Sequence, residues 1–178
     1  MALTNIFTGA DGTLDVAVAG TDTEAADFTA ITDAYSIGTI GRVTDVEVCV
    51  KTDLEEFYEI GKRDPQTLHP GNVHISGKIG RAYINGALLY LLLGRGAKET
   101  GGATTIQPRF VLNLTMTDPA EPTNTLRIKV FGVRFQDWSV HLPQNDFVME
   151  QVIFKASTIA SADTEAGSDI NVAFPEAA

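Results

Sequence analysis

The chain has 178 residues, 44% of them hydrophobic and 20% charged, with a formal net charge of -10 at neutral pH. That length suits one domain with a sizeable core, and no apolar run reaches the ~18–20 residues of a bilayer span. A single cysteine, Cys49, excludes an internal disulfide and a cysteine-cluster metal site. The start, "MALTNIFTGADG", shows no basic leader followed by an apolar stretch. The expectation is a protein made in a reducing cytoplasm, with no membrane partner.

Charge is unevenly placed. Residues 1–41 hold Asp11, Asp15, Asp22, Glu24, Asp27 and Asp33 and no Lys or Arg. Residues 156–178 hold Asp163, Glu165, Asp169 and Glu176, again without a base, while residues 42–155 carry 13 acids and 13 bases. The organisation expected is an acidic N-terminal arm over 1–40, a balanced domain over 41–157 and an acidic C-terminal tail over 158–178. Acidic ends are commonly solvated and partly disordered, or order only against a partner. Without clustered cations, tight nucleic-acid binding is not expected.

From residue 40 onward the pattern alternates, as in half-buried strands. In "RVTDVEVCVKT" the residues Val46, Val48 and Val50 share one face, and Asp45, Glu47, Cys49 and Lys51 the other. "NVHISGKI" sets Val73, Ile75 and Ile79 against His74, Ser76 and Lys78. "RFVLNLTMT" groups Phe110, Leu112, Leu114 and Met116. "LRIKVFGVRF" slips by one at Gly132, which predicts a β-bulge. "WSVHL" and "VMEQVIFKAS" add two more runs around the turn-like "PQND".

One segment breaks period two. In "AYINGALLYLLLG" the residues Ile84, Ala87, Leu88, Leu91 and Leu92 fall at helical spacing, with Gly94 placed to end a helix of about three turns near 82–93. The fold class is therefore mainly β: an antiparallel β-sandwich or partial barrel with one flanking α-helix. Two connections are long: about 20 residues after Thr52, and the glycine-rich stretch 94–104.

The first connection contains "EIGKRDPQTLHPGNVHISG", with Lys62, Arg63, Asp64, Pro65, His69 and His74. His69 and His74 match no zinc spacing. "GRGAKETGG" follows the helix instead of opening one, so it is no phosphate cradle. Cys49 lies mid-strand without a helper histidine and reads as a packed structural thiol. Glu55 and Glu56 are adjacent loop acids, more often solvated than catalytic. No Gly-x-Ser-x-Gly elbow occurs. These residues call for no enzyme, cofactor or metal. Polar strand faces, long loops and uncovered sheet edges fit self-assembly instead, because closing several sheets into one barrel removes the edges.

Residues 55–94, "EEFYEIGKRDPQTLHPGNVHISGKIGRAYINGALLYLLLG", and 126–157, "LRIKVFGVRFQDWSVHLPQNDFVMEQVIFKAS", resemble phage tail tube proteins, a family related to the inner tubes of contractile injection systems. The resemblance implies a virion tail subunit made in the bacterial host cytoplasm. Six copies would form a ring by merging their inner sheets into one barrel, and rings would stack into a tube conducting viral DNA. Partners would be further copies, the tail terminator, baseplate or tip, tape measure and sheath. It places Lys62, Arg63, Asp64, Pro65 and His69 in an inter-subunit or inter-ring loop. Arg81, Tyr83, Ile84, Leu88 and Leu91 fall on the flanking helix side. Asp45, Glu47 and Lys51 become a candidate lumen face, since a conduit must not grip phosphate. A contractile-injection inner tube shares the subunit fold and is the alternative. A carbohydrate-binding sandwich is a second one, disfavoured because Trp138 alternates with Val140 and Leu142 on an apolar face.

Overall fold

The computed structural model describes residues 9–20, 23–37, 39–83, 85–94, 107–119, 125–165 and 168–173. A single-turn 3-10 helix precedes β1 (Gly12–Val18), α1 (Thr23–Tyr35), β2 (Val43–Phe57) and β3 (Thr67–Ala82). Then come α2 (Ala87–Leu93), β4 (Phe110–Thr117), β5 (Thr125–His141), β6 (Met149–Ala156), β7 (Thr158–Glu165) and β8 (Ser168–Ala173). All strands join one antiparallel sheet ordered β1-β4-β5-β6-β3-β2, with β7 on β5 and β8 on β7. The mainly β expectation holds.

The curl of this sheet originates at Gly132. Phe110 pairs with Val133 and Leu112 with Val130, so β5 carries one extra residue there, and Gly132 has φ 62°. This is the bulge that the slip in alternation predicts, and a positive φ costs glycine little. Before the bulge β5 runs between β4 and β7; after it, β5 pairs with β6. The β6–β7 corner turns at the same level, where the Ser157 N–H donates to Phe131 O at 3.0 Å. Strands that change partners at a bend turn one sheet into two facing halves, here a half-barrel.

The core lies inside the curl. Ile79, Val152, Phe154, Phe135 and Val133 from the β2-β3-β6-β5 half meet Leu14, Phe110, Leu112 and Val130 from the other half. Phe28 of α1 stacks on Phe110 at 5.5 Å, and Phe110 meets Phe135 edge-on at 4.9 Å. Gly77 lies opposite Phe154 in the ladder, and a Cβ there would collide with Glu47 O and the Phe154 ring. The glycine is required for that ring to lie across β3.

Three expectations change. The acidic first 40 residues are not simply a solvated arm: β1 and α1 supply Leu14, Val16, Ala25, Phe28 and Ile31 to the core. Spacing of Ala25, Phe28, Ile31 and Tyr35 encodes that helix, but three acids mask it: Asp27 and Asp33 flank the apolar face, and Glu24 lies on it, paired with Arg134 at 2.7 Å and Arg109 at 3.5 Å. There are thus two helices where the sequence suggested one. The C-terminal segment likewise contributes β7 and β8 to the sheet instead of a free tail. Finally, α2 has seven residues, because the helix begins only after Asn85 and Gly86; Asn85 Oδ1 accepts from the Ala87 N–H at 3.3 Å. Gly94 ends it with φ 78°, its N–H donating to Tyr90 O at 2.8 Å.

Candidate assembly surfaces

The connection expected to be a long loop is instead a β-hairpin arm. The β2–β3 ladder continues from Thr52↔Val73 to Phe57↔Thr67, leaving a turn of residues 58–66. Alternation continues the core face of β2 and β3 outward past the body, through Val50, Val73, Leu54 and Leu68. These four residues are 50–59% exposed, so among the described residues an apolar face extends beyond anything that covers it. On the opposite face His74 Nε2 meets Asp53 Oδ2 at 2.9 Å, and His69 lies across from Glu55.

The arm's tip is an ordered turn. Gly61 takes φ 86°, the Lys62 N–H donates to Glu59 O at 3.1 Å, and Gln66 N–H donates to Phe57 O at 2.9 Å. Tyr58 donates its hydroxyl to Glu56, a bond that raises the tyrosine pKa above its ordinary value. Lys62, Arg63, Asp64 and Pro65 sit exposed on this turn, and His69 is on the β3 side of the arm. Ile60, Phe57 and Tyr58 are exposed among them.

Asp45, Glu47 and Lys51 lie on the exposed face of β2, as alternation predicts. Lys78 bridges Asp45 Oδ2 at 3.4 Å and Glu47 Oε2 at 3.1 Å, and hydrogen bonds to Glu47 first and Asp45 second raise its pKa. Across the ladder the same face continues through His74, Ser76 and Lys78 of β3, Gln151, Ile153 and Lys155 of β6, and Arg134, Asp137 and Ser139 of β5. The four-stranded face is consequently charge-balanced, although its β2 edge alone is net acidic. Cys49 is exposed on this face, not packed, because its valine neighbours point the other way. Among the described residues no three His, Cys, Asp or Glu side chains converge as a metal site.

Arg81 departs from its expected place on the helix side. It is the penultimate residue of β3, where its side chain and that of Glu150 are 1% and 0% exposed and form an ion pair. Arg81 also donates to Asn85 O and Oδ1 at 3.3 Å, and Trp138 Nε1 donates to Glu150 Oε2 at 2.9 Å. Nothing local in the sequence announces a pair 69 residues apart. The network ties the start of α2 to three strands. Leu88 and Leu91 are buried under it, Tyr83 is 43% exposed, and Ile84 lies outside the described residues.

Two edges of the four-stranded half remain open. β2 has β3 on one side and, among the described residues, no strand on the other. β5 loses β4 after Val133, so from Arg134 to His141 its far side also has no strand among the described residues; Gln107 Nε2 donates to Phe135 O at the near end. Open edges of this length invite pairing with another chain.

No family model and no curated protein matches the chain. Solved structures do. A chain of the sheath–tube complex of PVC, an extracellular contractile injection system, superposes with a TM-score of 0.58 at 10% identity, covering 89% of this chain and 93% of that one. A chain from the tube-terminating cap of the anti-feeding prophage gives 0.55 at 9% identity, covering 90% and 93%. The SPP1 tail tube gives 0.53 at 9% identity, covering 90% and 80%. The resemblance of residues 55–94 and 126–157 to tail tube proteins is thus matched over about 90% of the chain by the fold of phage and contractile-injection tube proteins.

Proposed function

We propose that this protein is the structural, non-enzymatic subunit of a virion tail tube. Six copies close into a ring, and rings stack into a hollow conduit for viral DNA. The observation that carries this reading is the pair of open edges on one four-stranded sheet. Neighbours alternate in direction along β2, β3, β6 and β5, so the outer two strands run oppositely. Setting β2 of one copy beside β5 of the next therefore continues antiparallel pairing around the whole ring. Closure removes both edges at once.

In such a ring the polar face of β2, β3, β6 and β5 lines the lumen, while both helices and the other half of the sheet lie outside. Lys78 is occupied by Asp45 and Glu47 and Arg134 by Glu24, while Lys51 and Lys155 share the wall with Asp53, Glu55 and Asp137, so the cations it shows to phosphate are interspersed with acids and not clustered. Lys62, Arg63, Asp64, Pro65 and His69 form the inter-subunit or inter-ring contact on the arm. Exposed pairs of this kind are worth under about 1 kcal/mol each and set register more than strength. The partners are other copies together with terminator, baseplate or tip, tape-measure and sheath proteins. Similar folds occur in sheath–tube, terminator, cap and baseplate assemblies.

A second reading, the inner tube of a contractile injection particle, is favoured by the likeness to the PVC chain and by the balanced face, which suits a protein cargo as well as DNA. Electron microscopy of purified protein over rising concentration tests both: rings and tubes are expected. Dispersed monomers at high concentration overturn both. Tight, salt-resistant capture of duplex DNA by assembled tubes overturns the conduit role.

A further inference from the structure

β1 is covered along one side by β4 but, among the described residues, on the other side only at its start. There Thr39 bridges Asp15, and Leu14 turns its carbonyl away from β4 to accept from the Ile40 N–H at 2.8 Å. Backbone groups alternate sides along a strand, so the Val16 carbonyl and both the N–H and the carbonyl of Val18 point the same way. Among the described residues no backbone group meets these three. Facing them stands α1, across an open groove of about 630 Å³. Val16 and Val18 line one wall of it, and Thr29, Thr32, Asp33 and Ser36 line the other.

We infer that this groove takes an extended, basic segment of a different protein, which adds a strand to the bare edge of β1. One outward donor and two outward acceptors are what strand addition uses for affinity. The pairing of Thr39 and Ile40 with the start of β1 shows that the same edge accepts an antiparallel neighbour. Val18, 43% exposed, gives the guest an apolar contact. Charge sets the kind of guest. Residues 1–41 hold six acids and no Lys or Arg, and Asp33 stands in the groove wall. At the far end, Arg109 follows the Val18–Phe110 pair but is engaged, with Arg134, by Glu24. Such surroundings select a cationic partner. They also disfavour the ends of a second copy, since residues 1–41 and 156–178 carry acids and no bases. The groove is complete within one subunit, so its occupancy does not depend on ring closure; in the tube reading it opens outward, beside the helices.

The probe is a fluorescent Lys-Val-Lys-Val-Lys-Val peptide titrated with the full chain, with Glu-Val-Glu-Val-Glu-Val as control. Saturable binding of the lysine peptide is expected, with slowed amide exchange at Val18, and no binding of the glutamate peptide. Val18→Pro removes the outward N–H without taking a bond from the β1–β4 ladder, and is expected to weaken binding about tenfold. Asp33→Lys is expected to weaken it about tenfold as well. Both variants keep a near-wild-type unfolding midpoint, since Val18 is the last residue of β1 and Asp33 is exposed. Should Val18→Pro not fold, Asp33→Lys and the exchange at Val18 decide. Unchanged binding in the folded variants, no slowing at Val18, or equal binding of the glutamate peptide overturns the site. Protection of Val18 that appears with rising protein concentration alone also overturns it, by making a second copy the occupant. Wild-type protein that forms no rings overturns the tube reading and leaves the peptide result standing.

Discussion

Arg81 and Glu150 form an ion pair in which both side chains are all but withdrawn from solvent, at the point where β3, β6 and α2 converge. The carboxylate's second oxygen is held by Trp138 and the guanidinium's Nη2 donates to Asn85, so both partners are tied to further groups. Such a pair adds little net stability over an apolar filling, but breaking it strands a buried charge. Glu150→Gln is therefore expected to cost about 3–5 kcal/mol, read from the urea midpoint at constant slope. Arg81→Met added to it removes the stranded charge and recovers part of the loss. A single substitution within 1 kcal/mol of wild type refutes the role.

Gly77 makes a second, independent point in the same sheet. Phe154 crosses over it, and Glu47 O closes the other side. Gly77→Ala is expected to destabilise by about 1–3 kcal/mol, because backbone on one side and a fully buried ring on the other leave nowhere for a methyl group. Thermal unfolding of the monomer measures it. An unchanged midpoint means the ring can move.

Lys62 and Arg63 lie on an exposed turn, so Lys62→Glu with Arg63→Glu leaves monomer stability within about 0.5 kcal/mol. Polymerisation is expected to weaken, and the difference from wild type to shrink as salt rises, since exposed charges are screened. Sedimentation at two ionic strengths reads both effects. Tubes indistinguishable from wild type count against the assembly role of the arm.

Lys78 gives the pH dependence. Its pKa is raised in the folded state by Glu47 and Asp45, so its contribution is fully present below the ordinary lysine value of 10.5 and fades as pH climbs through the raised one. Lys78→Met should therefore differ from wild type by a constant, small amount across pH 6–9, and the gap should close only in strong alkali. A gap that changes near neutrality points to another titrating group.

Much of the strand content was legible because period two is a local property. Val46, Val48, Ile75 and Ile79 face the core as their alternation requires, Gly132 marks the bulge, and Gly94 ends α2. The arm was harder to read. Pro70 and Gly71 punctuate β3 near the register shift after Thr52, so the ladder through Phe57 and Thr67 looks like loop when only one strand is visible. The helix at 23–35 was hidden by its own charge, since Glu24, Asp27 and Asp33 interrupt the four apolar residues spaced for burial, and the arginines that pair with Glu24 lie far along the chain.

By itself the sequence determined which segments alternate, where they bend and stop, and that a leucine-rich helix would cover apolar surface. These follow from backbone geometry and side-chain period, which act over a few residues. Tertiary structure alone decided that β2 and the far half of β5 end up as open borders of one four-stranded sheet, and that Arg81 finds Glu150. It also decided that β1 keeps a bare edge beside α1 at Val16 and Val18. Those relations depend on which strands pair across long loops, and a strand's own periodicity carries no record of its partner.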